Sequence, residues 1–188
     1  ATLGNITQDA AVAVTGTSSF TTSASDADIT LSNTGNAFAS AVTLSTTGSA
    51  AHATIDNGTT TLDIDTSSIG GNLTLISGNA SGITDSGNVT VGGNLVATTN
   101  ANDGVINMGT LRVDGTVALT TNGNGAATVV NDNGLTFAAS TVRGALTATA
   151  TLGNITQDAA VAVTGTSSFT TSASDADITL SNTGNAFA

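Results

Sequence analysis

Apolar and polar residues alternate in short runs along the whole chain, and polar turn residues separate these runs. Clear examples are AVAVTG at 11–16, TLDID at 61–65, VTVGG at 89–93 and GLTFAAS at 134–140. Such alternation is typical of short β-strands that turn one face toward a core. The intervening Asn, Asp and Gly residues tolerate the left-handed backbone of tight turns. We therefore expect an all-β chain of short strands.

A long internal repeat sets the organisation of the chain. Residues 1–39 recur without change at residues 150–188, so the period is 149 residues. Repeat arrays bury their core by stacking neighbouring units instead of closing a globule. We expect one full repeat unit at 1–149 and the start of the next, continuous with the first, at 150–188.

Within the unit, an apolar residue followed by a polar turn returns every 23 to 28 residues. These positions are Ile6, Ile29, Ile55, Ile83, Ile106, Val129 and Ile155. They divide the unit into about six coils of roughly 25 residues, long enough for three short strands and their corners. The expected fold is a parallel β-helix, or β-solenoid.

The third strand of each predicted coil has the clearest pattern. A small residue comes first, and the positions two and four residues later are nearly always apolar. The paired positions are Ser18/Phe20, Val42/Leu44, Leu73/Leu75, Leu95/Ala97, Val117/Leu119 and Leu146/Ala148. We expect them to form two continuous buried columns with a spacing of about 4.8 Å per coil.

Three strings carry a family resemblance: GNITQ at 4–8, DITLSNTGNAF at 28–38 and GLTFAASTVRGALTATA at 134–150. They are similar to repeats of filamentous-haemagglutinin-type large exoproteins. The resemblance implies a right-handed parallel β-helical shaft, exported across the bacterial outer membrane by a partner transporter. It also implies a role in adhesion, aggregation or biofilm matrix building, without an active site that could be carried over to this chain.

Composition excludes several kinds of partner. The net charge is −11, all 13 acidic residues are Asp, and Arg112 and Arg143 are the only Lys or Arg residues. A chain with so few cations cannot neutralise the phosphates of nucleic acid or of an anionic membrane. Its apolar runs are too short to span a bilayer, so we expect no membrane insertion in this segment, which we interpret as part of a longer protein.

Four carboxylates are candidates for chemistry. Asp63 and Asp65 flank Ile64, and with the apolar neighbours inward they would share the outer face about 7 Å apart. That spacing suits an inverting glycosidase pair, but the chain has no Glu, Lys or Tyr to complete such a site. Asp26 and Asp28 are weak Ca²⁺ candidates, as are Asp63 and Asp65, although calcium β-roll repeats are absent. We expect no enzyme activity and no cofactor beyond this weak Ca²⁺ possibility.

Other singled-out residues favour structural roles. His52 is expected at an exposed corner, and Phe20, Phe38 and Phe137 in the core. An outward row of mostly Thr residues is expected at Thr21, Ser45, Ile76, Thr98, Thr120, Thr149 and Thr170. Ile76 and the uneven coil lengths disfavour ice binding, and β-propensity explains the threonines.

The sequence thus predicts a structural shaft segment of a long adhesin or filament at the bacterial cell surface. The alternatives are a self-assembling filament without a dedicated tip and a carbohydrate-binding solenoid. Expected partners are neighbouring repeats stacked end to end, with lateral self-association or cell-surface glycans as further possibilities.

Overall fold

The computed structural model describes residues 1–188 and contains 22 β-strands and no helix. Every strand pairing in it is parallel. The predicted all-β parallel solenoid is therefore confirmed. No helix of the length and apolar character needed to cross a bilayer is present.

The strands form two sheets of ten strands and one pair. Sheet 1 contains β3 (Ile29–Leu31), β6 (Ala53–Asp56), β9 (Leu73–Ser77), β12 (Leu95–Asn102), β14 (Thr116–Asn122), β16 (Leu135–Phe137), β17 (Ser140–Val142), β19 (Ile155–Gln157), β20 (Val161–Val163) and β22 (Ala186–Phe187). Sheet 2 contains β2 (Ser18–Ser25), β5 (Val42–Thr47), β7 (Leu62–Ile64), β8 (Ser67–Ile69), β10 (Ile83–Asp85), β11 (Val89–Val91), β13 (Ile106–Val113), β15 (Ala127–Asn131), β18 (Leu146–Ala150) and β21 (Ser167–Thr171). The remaining pair is β1 (Ala13–Val14) with β4 (Ala37–Phe38).

The coils are shorter and more numerous than the sequence pattern predicted. Stepping between paired residues of sheet 1 leads from residue 6 to residue 157 in seven steps, through Ile6, Ile29, Ala53, Leu73, Leu95, Val117, Phe137 and Gln157. One coil therefore averages about 22 residues, and the 149-residue unit holds about seven coils. This is about one coil more than the six predicted, because the apolar positions used for that count belong to two sheets: Ile29 lies in sheet 1, but Ile106 lies in sheet 2.

The predicted column residues do face the core, but they do not form one continuous pair of columns. Positions from Leu73 to Leu119 stack in sheet 1. The matching positions Phe20, Leu44 and Leu146 lie in sheet 2. The same local pattern occurs in both sheets because either sheet needs alternate residues inward.

A single cluster of 34 buried hydrophobic residues runs through the solenoid. Phe38 and Phe137 are fully buried in it, as predicted, whereas Phe20 is only partly buried and packs against the cluster. The phenylalanine rings make edge-to-face contacts, with centroids 5.6 Å apart for Phe20 and Phe38 and 6.1 Å apart for Phe137 and Phe169. Such pairs stabilise beyond their buried area.

Buried threonine hydroxyls close several corners of the coils. Each donates a hydrogen bond to a carbonyl four or five residues further on: Thr22 to Ala27, Thr46 to Ala51, Thr99 to Gly104 and Thr121 to Gly125. These bonds satisfy carbonyls that the parallel ladders leave free at a turn. The TT dipeptides before the polar turns are thus corner residues.

The side chains of two fully buried asparagines link neighbouring coils by hydrogen bonds. The Asn131 Oδ1 accepts the Val113 N–H at 2.7 Å, and its Nδ2 donates to the carbonyls of Val113 at 3.0 Å and Gly134 at 2.6 Å. Asn57 repeats the arrangement on Phe38, with distances of 2.7 and 3.0 Å. Each side chain acts as a short extra length of backbone ladder where a turn interrupts the strand.

Candidate functional site

The first pair of calcium candidates holds the backbone of the next coil. Asp26 has a left-handed backbone, with φ of 59°, and its Oδ1 accepts the Ala50 N–H at 3.1 Å. The Oδ1 of Asp28 accepts the His52 N–H at 2.8 Å. These contacts give both carboxylates a structural role at a corner.

Asp28 and His52 are members of a longer ladder at that corner. In each step a side chain accepts a hydrogen bond from the backbone N–H of the corresponding residue in the following coil, at 2.8 to 2.9 Å. The order is Asn5, Asp28, His52, Asn72, Asn94 and Thr116. In the third step His52 accepts the Asn72 N–H through its Nδ1. The predicted corner position of His52 is confirmed, and its contact there is structural.

The second pair of candidates lies at β7. Leu62 and Ile64 are fully buried, so Asp63 faces outward as predicted. Its Oδ1 accepts the Thr84 hydroxyl at 3.3 Å, and the Oδ1 of Asp65 accepts the Thr66 N–H at 2.7 Å. The structure contains no group of three or more His, Cys, Asp or Glu side chains placed to hold a metal ion.

The predicted outward threonine row is split between the sheets. Ile76, Thr98 and Thr120 are neighbours in sheet 1. Thr21 pairs with Ser45, and Thr149 with Thr170, in sheet 2. The prediction of a single row was wrong, because the third-strand pattern on which it rested occurs in both sheets.

Two grooves interrupt the outer surface, and each contains one of the two arginines. The first, of about 380 Å³, lies where β13 bends, and its lining includes Asn88, Thr90, Arg112 and Asp132. Arg112 lies near Asp114, with Nε 3.8 Å from Oδ1, and both side chains are about half exposed. An ion pair that is this exposed contributes little to stability.

The second groove, which we call the Arg143 groove, crosses three successive coils and has a volume of about 380 Å³. Its lining contains no hydrophobic residue and no carboxylate: Thr99, Asn100, Thr120, Thr121, Asn122, Thr141 and Arg143. The backbone N–H of Arg143 donates to the Thr121 Oγ1 at 2.9 Å, which fixes the backbone of this residue beside the preceding coil. The groove presents hydroxyl and amide groups around one guanidinium.

Sequence reasoning missed this groove, the buried asparagines and the corner ladder. Arg143 lies in the STVRG string, where only its rarity in the chain distinguishes it. Asn57 and Asn131 sit in DNG and NDNG strings that are indistinguishable from ordinary exposed turns. The only available signal was that each asparagine lies at the end of a strand: Asn57 directly follows β6, and Asn131 is the last residue of β15.

The chain was compared with known families and proteins. A family model described as repeats of unknown function (DUF5649) matches residues 1–45, 50–108 and 124–188. No curated protein and no solved structure gave a match. Since the three matched segments make up most of its length and include both copies of the duplicated segment, the chain belongs to this family of repeats.

Proposed function

We propose that the chain is a structural shaft segment of a long, secreted protein on the bacterial surface, where it supports adhesion, aggregation or biofilm matrix formation. The resemblance of GNITQ, DITLSNTGNAF and GLTFAASTVRGALTATA to filamentous-haemagglutinin-type repeats supports this assignment. The cell-surface location and export by a partner transporter belong to the same proposal.

The observation that carries the proposal is the environment of the duplicated segment at its upper side. In the first copy the following coil covers Ile29 and Phe38, which are each 1% exposed. In the second copy the same residues, Ile178 and Phe187, are 45% and 42% exposed. The apolar upper face of a coil is therefore buried where another coil stacks on it, as in a repeat array.

On the lower side of the unit, too, the burial of apolar residues depends on a neighbouring coil. Ile155 and Val161 in the second copy are fully buried because β16 and β17 lie beneath them. Their equivalents Ile6 and Val12, which have no coil beneath them, are only partly buried. Both copies also pair in the same register, Ile6 with Ile29 and Ile155 with Ile178, so successive units can stack as one continuous solenoid, which suits building length.

A non-catalytic role is part of the proposal. The carboxylates of Asp26, Asp28 and Asp85 hold backbone N–H groups of the next coil. If these carboxylates acted in catalysis, the corners would lose the hydrogen bonds that the carboxylates accept. This argues for a structural role of these side chains.

Chains with one, two and four 149-residue units would test the shaft proposal by electron microscopy. Seven coils at 4.8 Å predict rods that lengthen by about 34 Å per unit. Rods that fold back or do not lengthen in proportion would contradict it. In cells, deleting whole units should shorten surface stalks in equal steps and reduce adhesion at unchanged surface expression.

A self-assembling filament is the second candidate, because the register that is repeated in the two copies, Ile6 with Ile29 and Ile155 with Ile178, would also suit end-to-end stacking of separate chains. Electron microscopy of native cells separates the two: isolated thin stalks support a shaft that carries a tip, and ordered bundles support a filament. Glycan binding by the outer faces is a third class, which a glycan array would detect.

A further inference from the structure

We propose that Asn122 is a site of spontaneous covalent modification, at which the backbone nitrogen of Gly123 attacks the side-chain amide and converts the asparagine into aspartate and isoaspartate. Asn122 is the last residue of β14, and Gly123 begins the corner that leads to β15. The modification does not depend on the shaft role. It is inferred from the different surroundings of the four Asn-Gly pairs of the chain, at 57–58, 122–123, 124–125 and 133–134.

The reaction needs no reagent other than water. The Gly123 nitrogen gives up its proton to solvent and forms a bond to the Asn122 Cγ, while the bond from Cγ to Nδ2 breaks and Nδ2 takes up a proton and leaves as ammonia. The product is a cyclic imide, which water opens at either of its two carbonyl groups. Opening at Cγ gives aspartate, and opening at the main-chain carbonyl gives isoaspartate. Glycine favours the first step, because it has no Cβ to obstruct the approach to its nitrogen.

The structure holds the two reacting groups of this pair together. The Gly123 N–H donates to the Asn122 Oδ1 at 2.9 Å, so the side-chain amide lies beside the nitrogen that attacks it. This N–H donates to no backbone carbonyl, and the Asn122 Nδ2 makes a single long bond, to the Asn100 carbonyl at 3.3 Å. Asn122 is also exposed, so water reaches the amide. Holding reacting groups close together accelerates a unimolecular step.

Asn57 is the opposite case. It is fully buried, its Oδ1 accepts the Phe38 N–H at 2.7 Å, and its Nδ2 donates to the carbonyls of Phe38 at 3.0 Å and Thr61 at 2.7 Å. The Gly58 N–H donates instead to the Asp56 Oδ1 at 2.9 Å. Different partners therefore hold the amide and the nitrogen of this pair, and burial excludes water. We expect the fold to protect Asn57.

The remaining two pairs also lack the contact seen at Asn122. The Gly125 N–H donates to the Asn122 carbonyl at 2.9 Å, so the nitrogen that follows Asn124 is already engaged. The Asn133 amide donates to the Asp114 Oδ1 at 3.0 Å, in the preceding coil. Both asparagines must give up or rearrange these contacts before they can react. They should therefore convert more slowly than Asn122.

Conversion of Asn122 would change the corner. The Asn122 carbonyl accepts the N–H groups of Asp103 at 3.1 Å and of Gly125 at 2.9 Å. Isoaspartate adds a methylene carbon to the main chain at this point and displaces the carbonyl from both donors. Either product also places a new carboxylate in the corner that already contains Asp103. We therefore expect the modified corner to open more readily, because it loses hydrogen bonds and gains repulsion between like charges.

The test is incubation of the folded 188-residue chain in mildly alkaline buffer, followed by unfolding, trypsin digestion and mass spectrometry. Arg112 and Arg143 are the only Lys or Arg residues, so trypsin releases a fragment 113–143 with the last three pairs and a fragment 1–112 with Asn57. Electron-transfer fragmentation then locates aspartate and isoaspartate at single residues. We expect Asn122 to convert about tenfold or more faster than any of the other three asparagines, because only this pair is held in contact.

The same chain unfolded in urea is the matched reference. Without the fold the four pairs share the same local chemistry and should convert at similar rates. Asn122→Gln should remove conversion at this position and leave the other three pairs unchanged, and hydrogen exchange away from the corner verifies the fold of the variant.

The proposal is overturned if Asn122 is not the fastest of the four pairs in the folded chain, or if folding slows its conversion as much as that of Asn57. Conversion to aspartate without isoaspartate would show direct hydrolysis of the amide by water, not attack by the Gly123 nitrogen, and would also overturn it.

Discussion

Replacing Asn131 with Ala should be one of the most damaging small substitutions in the chain. The side chain is fully buried and makes three hydrogen bonds, at 2.7 Å with the Val113 N–H, at 3.0 Å with the Val113 carbonyl and at 2.6 Å with the Gly134 carbonyl. Alanine would leave all three backbone groups without partners.

The expected magnitude follows from the cost of buried, unpaired polar groups. Each costs about 1 to 3 kcal/mol, and the N–H is less tolerant of being unpaired than the carbonyls. We therefore expect a loss of about 3 to 5 kcal/mol in the free energy of unfolding. Asn131→Asp should be at least as damaging, because a carboxylate loses both donors and faces two carbonyl oxygens.

The assay is urea unfolding followed by far-ultraviolet circular dichroism, with hydrogen exchange to locate the change. Because each coil contacts only its neighbours, faster exchange should be confined largely to residues 111–134. Asn133→Ala is the matched control in the same turn; the Asn133 amide donates to the exposed Asp114 at 3.0 Å, and its loss should cost less than about 0.5 kcal/mol. If Asn131→Ala and Asn133→Ala were equally stable, the ladder role of Asn131 would be refuted.

Substitutions at three further positions test other features. Gly82→Ala should destabilise the chain by more than about 2 kcal/mol in thermal melts, because Gly82 has φ of 69° and a Cβ would lie 1.7 Å from the Val105 carbonyl oxygen; a melt like the parent's would contradict this. His52→Asn should preserve stability by keeping an acceptor for the Asn72 N–H, whereas His52→Ala should cost about 0.5 to 1 kcal/mol in urea unfolding; the reverse order would contradict the ladder. Ser167→Ala should be neutral or stabilising in the same assay, because the Ser167 hydroxyl is buried without a partner, and a clear loss of stability would show a bond that the structure lacks.

The corner ladder shows which structural features local sequence can predict and which it cannot. Asn72 and Asn94 occur in GGNL strings, which indicate a turn before a strand. The sequence does not show that each side chain accepts an N–H from the next coil, since the partners lie about 22 residues apart. Arg143 illustrates the same limit, because Thr120 and Asn100 come beside it only when three coils stack.

The sequence by itself determined the alternating strands, the inward residues such as Leu73 and Leu75, the turns and the repeat of 149 residues. The strands, inward residues and turns depend on side chains two to four positions apart, so they can be read within one strand and its turn. The repeat follows from the identity of residues 1–39 and 150–188 alone. Only the tertiary structure decided the number of coils, the sheet in which each strand lies and the side chains that meet in the Arg143 groove. The physical reason is that coil length is set by the corners, and corners of different length return equivalent strands to different sheets.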